Sequence, residues 1–406
     1  MRIRIKRFYT KYLIDYWLIL ITPIVDTANG LFLLRYGATG FSIGTVYRLL
    51  LLIYVILRLF KNKMLIIQFL PLLYFPLIGL FRGGDNAFGC FTYAMKWLLP
   101  IALILYYGMG KRDKTDIKNC LIRSLDFWSI FVPVSLIVEY IFKLGNETYY
   151  DAGFKGLYYS TNDIAVVLIV LFIYTLYKTI YIDNKNAVVC LFSFIAIIIL
   201  STKSTVIFAL VSLVYFLVVS KKLKIRHLLS IAAIMIVVWW FANTNQILEK
   251  FMLRYSNMWN NSVTDNWISN FLFFATSGRT SRIGIMFDKI HDNGLYMSNL
   301  LFGWIQPDNA HVIEMDWHDL ICQYGIIGFI ICVLEYVLLF IKSNLKSQPY
   351  YYIVIVCMIY SILAGHVISG AFAGTVLAMI FALLLLESNE IRRKRLLTGK
   401  DSLCTK

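Results

Sequence analysis

Apolar segments of membrane length recur along almost the whole chain and limit what it can fold into. A helix needs roughly 20 apolar residues to cross the hydrocarbon core of a bilayer. Backbone groups find no water there, so each crossing segment is expected to be helical. Twelve such segments are recognisable: 14–34, 41–60, 64–81, 87–108, 124–143, 162–181, 187–201, 204–220, 228–243, 319–341, 350–367 and 371–387. The sequence therefore predicts an all-α polytopic membrane protein of about twelve transmembrane helices, within a range of roughly ten to thirteen.

The composition excludes an ordinary soluble protein. Hydrophobic residues make up 59% of the 406 positions and charged residues only 15%,. A transmembrane β-barrel is excluded as well, because its strands alternate apolar and polar residues. Continuous apolar runs such as residues 187–200 are typical of helices instead. We expect residues 1–406 to form a single integral membrane domain whose first helix is not cleaved.

Positive charges are concentrated in alternate loops. Of the 39 Lys and Arg residues, 27 lie in segments that we predict to be cytoplasmic. These segments are 1–11, 58–63, 111–123, 178–185, 221–226, 342–346 and 392–406. Cytoplasmic loops of membrane proteins are enriched in Lys and Arg, so both termini are predicted to be cytoplasmic. Topology thus explains the net charge of +16, and no nucleic-acid partner is expected.

One long hydrophilic stretch, residues 244–318, separates the ninth apolar segment from the tenth. The alternation of loop charges places it on the outer face of the membrane, opposite both termini. Within it, residues 281–290 carry apolar side chains at helical spacing, and the residues that follow are typical of a helix end,. We expect a long outer loop that contains a short helix and meets an external substrate.

Three cations in the outer segments are candidates for binding an anion. Arg279 and Arg282 lie three positions apart, which puts them on one face of a helix,. A guanidinium fork binds two oxygens of a phosphate at once. Lys203 lies in a tight turn between two apolar segments. The ordinary alternatives are pairing with Asp288, Asp292 or lipid headgroups for the arginines, and snorkelling for the lysine.

The densest titratable cluster lies at the end of the long stretch and comprises His311, Glu314, Asp316, His318 and Asp319. One of these groups can serve as a general base toward a hydroxyl. The cluster lacks the HExxH spacing of a helical zinc site. The seven cysteines form no CxxC pair,, so neither a metal nor a cofactor is expected. The alternative is a polar lead-in to the tenth segment. His366, at the last outer turn, is expected to approach the same site.

Five charged residues lie four or more positions from the ends of apolar segments: Asp26, Arg48, Lys96, Glu139 and Glu335. Each costs roughly 2.5–3.5 kcal/mol near a helix centre, so such residues usually face the bundle interior. Pairs such as Arg48 with Glu139 would hold helices together, and Glu335 is expected to be structural. The alternative for the others is a substrate channel or a proton path.

Tryptophans in the long stretch, Trp304 and Trp317 among them, can stack on sugar rings. An interfacial belt of Trp and Tyr is equally expected at these positions. Both interpretations stay open from the sequence.

Four short motifs occur in order across residues 150–375. They are Gly156-x-x-x-x-x-Asn162-Asp163, Ser201-Thr202-Lys203-Ser204, Ser277-Gly278-Arg279, and Glu314-x-Asp316-x-x-Asp319-Leu320 followed by Tyr324-Gly325-x-x-Gly328. Together with twelve helices and a large late outer loop, they resemble the O-antigen polymerase and ligase superfamily. These are bacterial membrane glycosyltransferases that act on undecaprenyl-diphosphate-linked glycans.

The resemblance implies a polysaccharide polymerase of the O-antigen or capsule type in a bacterial inner membrane, active on its outer, periplasmic side. A growing glycan would leave undecaprenyl diphosphate for the non-reducing end of an incoming lipid-linked repeat unit. The partners implied are these glycan substrates, membrane lipids and a candidate chain-length regulator. The enzyme would be metal-independent and need no cofactor.

The resemblance also suggests roles for individual residues. The diphosphate would be held by Arg279, which is also implied in catalysis, together with Arg282, Lys203 and Arg254. The base would be His318, Asp316 or Glu314, and the substrate would be bound by Asn162, Trp304, Trp317 and His366. Ligases of the family carry a histidine where this chain has His318, whereas polymerases show the acidic pattern of Glu314 and Asp316. A ligase acting on a lipid A core therefore stays an alternative, as does a flippase that would use Arg48, Lys96 and Glu139.

Overall fold

The architecture comes from a computed structural model. It describes residues 13–37, 42–60, 68, 70–82, 84–110, 114–149, 152–219, single positions between 236 and 256, and residues 267–291, 296–304, 313–343 and 349–397. Arg254, His311 and most of the predicted span 228–243 lie outside these residues.

The described chain is almost entirely helical. Its helices are α1 Leu13–Leu20, α2 Thr22–Tyr36, α3 Ile43–Leu59, α4 Leu70–Arg82, α5 Ala87–Met109, α6 Lys114–Ile141, α7 Thr161–Tyr181, α8 Ala187–Leu200, α9 Lys203–Val219, α10 Trp267–Ala275, α11 Arg279–His291, α12 Tyr296–Phe302, α13 Asp316–Ile341, α14 Tyr350–Leu363 and α15 Ala371–Leu397. Two short 3₁₀ turns, Gly84–Asn86 and Asn184–Asn186, precede α5 and α8. The described residues form one sheet, an antiparallel hairpin of β1 (Asn146–Tyr149) and β2 (Ala152–Gly156).

Five of the described helices, α5, α6, α7, α13 and α15, are long and apolar enough to cross a membrane. A sixth crossing results if α1 and α2, which meet at 46°, form one bent span. Helices α4, α9 and α14 are apolar but shorter, as is the helical stretch 184–200. The protein is therefore an all-α, membrane-embedded protein, while the count of twelve and the orientation of the loops stay predictions.

The core forms where α15 packs along α5 and against α7. Residues 371–386 of α15 and 97–107 of α5 are buried almost completely. Helices that are apolar on every side and buried on every side belong at the centre of a bundle. The ends of these central helices therefore define a fixed frame for the polar residues around them.

The hairpin is anchored to this bundle by Glu139 of α6. Its Oε2 atom accepts the backbone N–H of Leu157 at 2.9 Å. A Cβ atom at Gly156, whose φ is +63°, would lie 1.9 Å from the same oxygen. Glu139 thus holds the chain that leads into α7. The suggested pairing of Arg48 with Glu139 is wrong, because Arg48 pairs with Asp26 of the neighbouring helix α2.

The segment around α12 docks into a kink of α13. Gly325 has φ +69° and ψ −174° inside α13, and the backbone of Leu301 lies so near that a Cβ atom at Gly325 would be 2.1 Å from its carbonyl oxygen. The N–H of Trp304 donates to the carbonyl of Cys322 at 2.8 Å. These backbone contacts attach the part of the chain that carries Arg279 to the start of α13.

Candidate functional site

A polar cavity of about 710 Å³ lies where the hairpin and the starts of several helices meet. Its walls come from α2, α3, α5 and α7, and from residues that flank α13 and α15. The charged and histidine side chains that line it are Asp26, Arg48, Lys96, Lys155, Asp163, Glu314 and His366. Charged groups from five elements thus share one space in a chain that is otherwise mostly apolar.

Glu314 connects the cavity to the two arginines of α11. The Nη2 atom of Arg279 lies 3.0 Å from Oε2 of Glu314, and its Nε donates to the same oxygen at 3.3 Å. The Nη1 atom of Arg282 lies 3.6 Å from the other carboxylate oxygen. Two cations thus meet one carboxylate. The spacing of three residues does place both guanidinium groups on one face of α11.

Asp319 holds Glu314 in place from the first turn of α13. Its carboxylate accepts the backbone N–H of Ile313 at 2.7 Å and that of Glu314 at 3.1 Å. Glu314 has φ +67°, a left-handed conformation that a non-glycine residue rarely adopts,. These hydrogen bonds stabilise that conformation. The side chain of Glu314 stays 40% exposed and reaches the cavity.

Asp316 performs the same task for the loop between α14 and α15. It is 0% exposed. Its two oxygens accept the backbone N–H groups of His366, Val367, Ile368 and Ser369 at 2.8–3.4 Å. The Ser369 hydroxyl donates to it at 2.7 Å. A run of successive N–H groups is a strong anion site, and here Asp316 fills it. Its oxygens are therefore occupied by backbone and hydroxyl donors, whereas those of Glu314 meet Arg279 and Arg282 at the edge of the cavity.

His366 is presented to the cavity by that loop and meets Asn162 at the start of α7. The Nδ1 atom of His366 lies 3.4 Å from Nδ2 of Asn162. Because burial outweighs the neighbouring carboxylates Asp316 and Glu314, the pKa of the His366 imidazole is lowered. A neutral imidazole can accept a hydrogen bond from Asn162 at Nδ1 and keep its proton on Nε2. The φ of His366 is +60°, which the anchored loop stabilises.

The other wall of the cavity carries cations. Arg48 of α3 pairs with Asp26, and Lys155 of β2 donates to the carbonyl of Tyr159 at 3.0 Å. Burial lowers the pKa of the Lys155 ammonium. Within the described part of the chain, Lys96 of α5 makes no ion pair. Its ammonium lies 4.8 Å from the centre of the Tyr93 ring.

Asp163 joins this wall from the first turn of α7. Ser160 begins that helix, and its hydroxyl oxygen accepts the N–H of Asp163 at 3.3 Å. A side-chain oxygen at this position satisfies one of the N–H groups left open by a helix start. One carboxylate oxygen of Asp163 is buried without a partner among the described residues. The Gly156-to-Asp163 motif therefore delivers a carboxylate to the cavity and places Asn162 against His366.

Two residues predicted for the site lie elsewhere. His318 is not among the described residues that line the cavity, and its Nδ1 atom is buried without a described hydrogen-bond partner. Lys203 is 6% exposed at the start of α9. Its ammonium lies 4.1 Å from the centre of the Phe274 ring of α10. Lys203 thus supports the helix that leads to Arg279 and does not face the cavity.

The two tryptophans are placed by hydrogen bonds to other parts of the fold. Trp304 is 9% exposed and donates to the carbonyl of Met286 at 3.0 Å. Trp317 donates to the Ser361 hydroxyl at 2.8 Å. It borders a separate apolar groove of about 590 Å³ between α13 and α14. Neither indole faces the polar cavity, so stacking on a sugar there would require both to move.

From the sequence, the roles of Arg48 and Lys96 stayed open between structure and function. Lys155 and Asp163 were not predicted as site residues. The signal for Arg48 and Lys96 was the cost of a charge in an apolar segment, which favours an interior position. Asp163 was visible only as part of the Asn-Asp motif. Nothing in the sequence indicated that Lys155, in a polar loop, would reach the same space.

Comparison with protein families, with curated proteins and with solved structures finds no match to this chain. The described residues hold no group of three His, Cys, Asp or Glu side chains arranged to bind a metal. Functional assignment therefore depends on the chemistry of the cavity and on the sequence motifs.

Proposed function

We propose that the protein is a polysaccharide polymerase. A growing glycan would be transferred from undecaprenyl diphosphate to the non-reducing end of an incoming lipid-linked repeat unit, on the outer face of the bacterial inner membrane. The observation that carries the proposal is the contact of Glu314 with both Arg279 and Arg282 at the edge of a polar cavity. This contact places a carboxylate and two cations beside the same cavity.

The reaction needs those two kinds of group together. The acceptor hydroxyl oxygen attacks the anomeric carbon of the donor sugar, and the carbon–oxygen bond to the diphosphate breaks. The diphosphate leaves with that electron pair, and the hydroxyl proton passes to the base. Preorganised cations beside the leaving oxygen stabilise the charge that develops there. A single contact of this kind contributes about 2.7–4 kcal/mol to the transition state.

Glu314 is the carboxylate that fits the role of base. Its side chain is 40% exposed, whereas Asp316 and Asp319 are 0% and 3% exposed and accept backbone N–H groups. A base must reach the proton that it removes. We therefore assign Glu314 as the base, and Asp316 and Asp319 as positioning residues.

Arg279 and Arg282 are the proposed diphosphate ligands. Arg279 is 11% exposed and also donates to the carbonyl of Thr276 at 3.3 Å, so its guanidinium is held from two sides. The same chemistry serves a ligase that uses a lipid A core as acceptor, and the position of His318 away from the cavity favours the polymerase.

The second candidate function, which belongs to a different functional class, is transport of a lipid-linked oligosaccharide. The observation that favours it is the position of Arg48 and Lys96 in a cavity between helices. Of the three residues expected for transport, Glu139 does not share this cavity and anchors the hairpin instead.

The deciding experiment measures the length of lipid-linked and finished glycan in cells that lack the protein. Single repeat units at the cell surface without long chains support the polymerase. Full-length polymer stranded on its lipid carrier indicates a ligase. Repeat units retained on the cytoplasmic side indicate a flippase and exclude the proposal.

Complementation of these cells tests the arginine assignment. Arg279→Met is expected to reduce polymer formation about 100- to 1000-fold. Arg279→Lys is expected to restore little of it, because lysine lacks the planar fork of donors. Arg392→Met, at an exposed position near the end of α15, is the matched control and is expected to form normal polymer. Normal polymer length with Arg279→Met would exclude the diphosphate role.

A further inference from the structure

The cations around the cavity fall into two groups. The first is Arg279 and Arg282, which meet Glu314. The second is Arg48, Lys96 and Lys155, which line the cavity itself. Lys96 interacts electrostatically with Asp163 and Arg48. His366 interacts with both Arg279 and Lys96, so it lies between the two groups.

The first group meets the carboxylate of Glu314. Arg48, Lys96 and Lys155 face two carboxylates, Asp26 and Asp163. Arg48 pairs with Asp26, whereas Lys96 and Lys155 make no ion pair in the described structure, and Lys155 donates to the carbonyl of Tyr159.

A lysine without an ion pair is costly in the middle of an apolar helix. Stability alone does not account for it, because a neutral residue at position 96 would avoid the cost. The side chain of Lys96 is exposed toward the cavity. Arg48 also lines the cavity, and its Nε atom is buried without a hydrogen-bond partner among the described residues.

We infer that two oxyanions bind at once, one beside the cavity at Arg279 and Arg282 and a second within it at Lys96, Arg48 and Lys155. The inference rests on the proposed function for the identity of the ligands. In a polymerase both donor and acceptor carry a diphosphate, and an acidic sugar of the repeat unit is another source of the second anion. The shared chemistry is a phosphate or carboxylate group that Lys96 can pair with.

The test is a calorimetric titration of the purified full-length protein with inorganic diphosphate. The wild type is expected to bind at two sites. Lys96→Met is expected to lose one of them, with binding there weakened about 10- to 100-fold, and Arg279→Met is expected to lose the other. Lys118→Met is the matched control, because Lys118 pairs with Glu390 at 2.9 Å away from the cavity, and it is expected to keep both sites.

A single site in the wild type, or two unchanged sites in Lys96→Met, overturns the inference. Lys96→Arg keeps the charge and is expected to keep both sites, so it covers the case in which Lys96→Met fails to fold. Glucuronate added as a competitor separates the sources of the second anion. Displacement of diphosphate from the Lys96 site alone indicates a sugar carboxylate, and no displacement indicates a phosphate.

The titration requires no turnover, so its outcome is independent of the proposed activity. One site together with lost polymer in deletion cells overturns the inference and leaves the polymerase standing. Two sites together with normal polymer in those cells support the inference and exclude the polymerase.

Discussion

The carboxylate of Asp316 accepts the backbone N–H of His366 at 2.9 Å, although fifty positions separate the two residues. This contact and those to the next three N–H groups set the conformation of the loop between α14 and α15. The carboxylate at the start of α13 therefore determines where the imidazole meets the cavity. Asp316 is 0% exposed, so it influences the cavity through the position of His366.

Asp316→Asn is expected to destabilise the protein, because an amide NH₂ would face backbone N–H groups in place of an oxygen. A buried donor without an acceptor costs about 1–3 kcal/mol, and up to two donors are affected. We expect the free energy of unfolding to fall by about 2–6 kcal/mol and activity to fall with it. Thermal unfolding in detergent measures this. Asp288→Asn, at an exposed position of α11, is the control, and equal stability of both variants would contradict the anchoring role.

Glu314→Gln tests the proposed role of Glu314 as the base separately from its structural contact with Arg279. The glutamine oxygen can still accept from Arg279, so the protein is expected to fold as the wild type does. A general base contributes about 100- to 10,000-fold to a rate, and the rate of glycan transfer is expected to fall within that range. The measurement is initial rate of transfer at saturating donor. Glu147→Gln, on the exposed strand β1, is expected to retain the wild-type rate. A wild-type rate in Glu314→Gln would assign the base elsewhere.

Low pH is expected to destabilise the folded protein through His366. The folded pKa of this group is lowered by burial, whereas a histidine in an unfolded chain titrates near about 6.5. As pH falls below about 6.5, the unfolded chain takes up a proton that the folded protein resists. The stability present above that pH is therefore lost as pH falls toward the lowered folded pKa.

Thermal unfolding at pH 7.5 and pH 5.5 measures this contribution. The drop in Tm is expected to be smaller in His366→Gln than in the wild type, because the variant has no imidazole to protonate at this position. The charged groups that surround His366, namely Asp316, Glu314, Arg279 and Lys96, are common to both proteins. An equal drop would show that His366 does not contribute.

Gly370→Ala is expected to disrupt the cavity. Its Cβ atom would lie 2.1 Å from both a carboxylate oxygen of Asp163 and the carbonyl oxygen of His366. Overpacking costs about 1–3 kcal/mol, and here both displaced groups line the site, so transfer should fall together with Tm. Gly284→Ala is the matched control, because a Cβ atom there meets nothing within 4 Å. It lies inside α11 and is expected to gain up to about 1 kcal/mol. Equal behaviour of the two variants would contradict the close packing.

The sequence predicted some parts of the site well and others poorly. Periodicity placed Arg279 and Arg282 on one helical face, and both do reach Glu314. The acidic motif, in contrast, looked like a set of equivalent candidate bases. The structure gives its members different positions. Asp319 accepts the backbone N–H of nearby Ile313, and Asp316 accepts that of Val367 in a distant segment. Residue type alone carries no information about such partners.

Local composition determined the helical, membrane-embedded character of this protein, since apolar runs in lipid leave the backbone little choice other than a helix. Only the tertiary structure decided which polar groups share a space. Arg48, Lys96, Asp163, Glu314 and His366 are brought together by the packing of α5, α7 and α15 and by two buried carboxylates. These are contacts between residues far apart in the chain, and their positions depend on packing that no local pattern of side chains encodes.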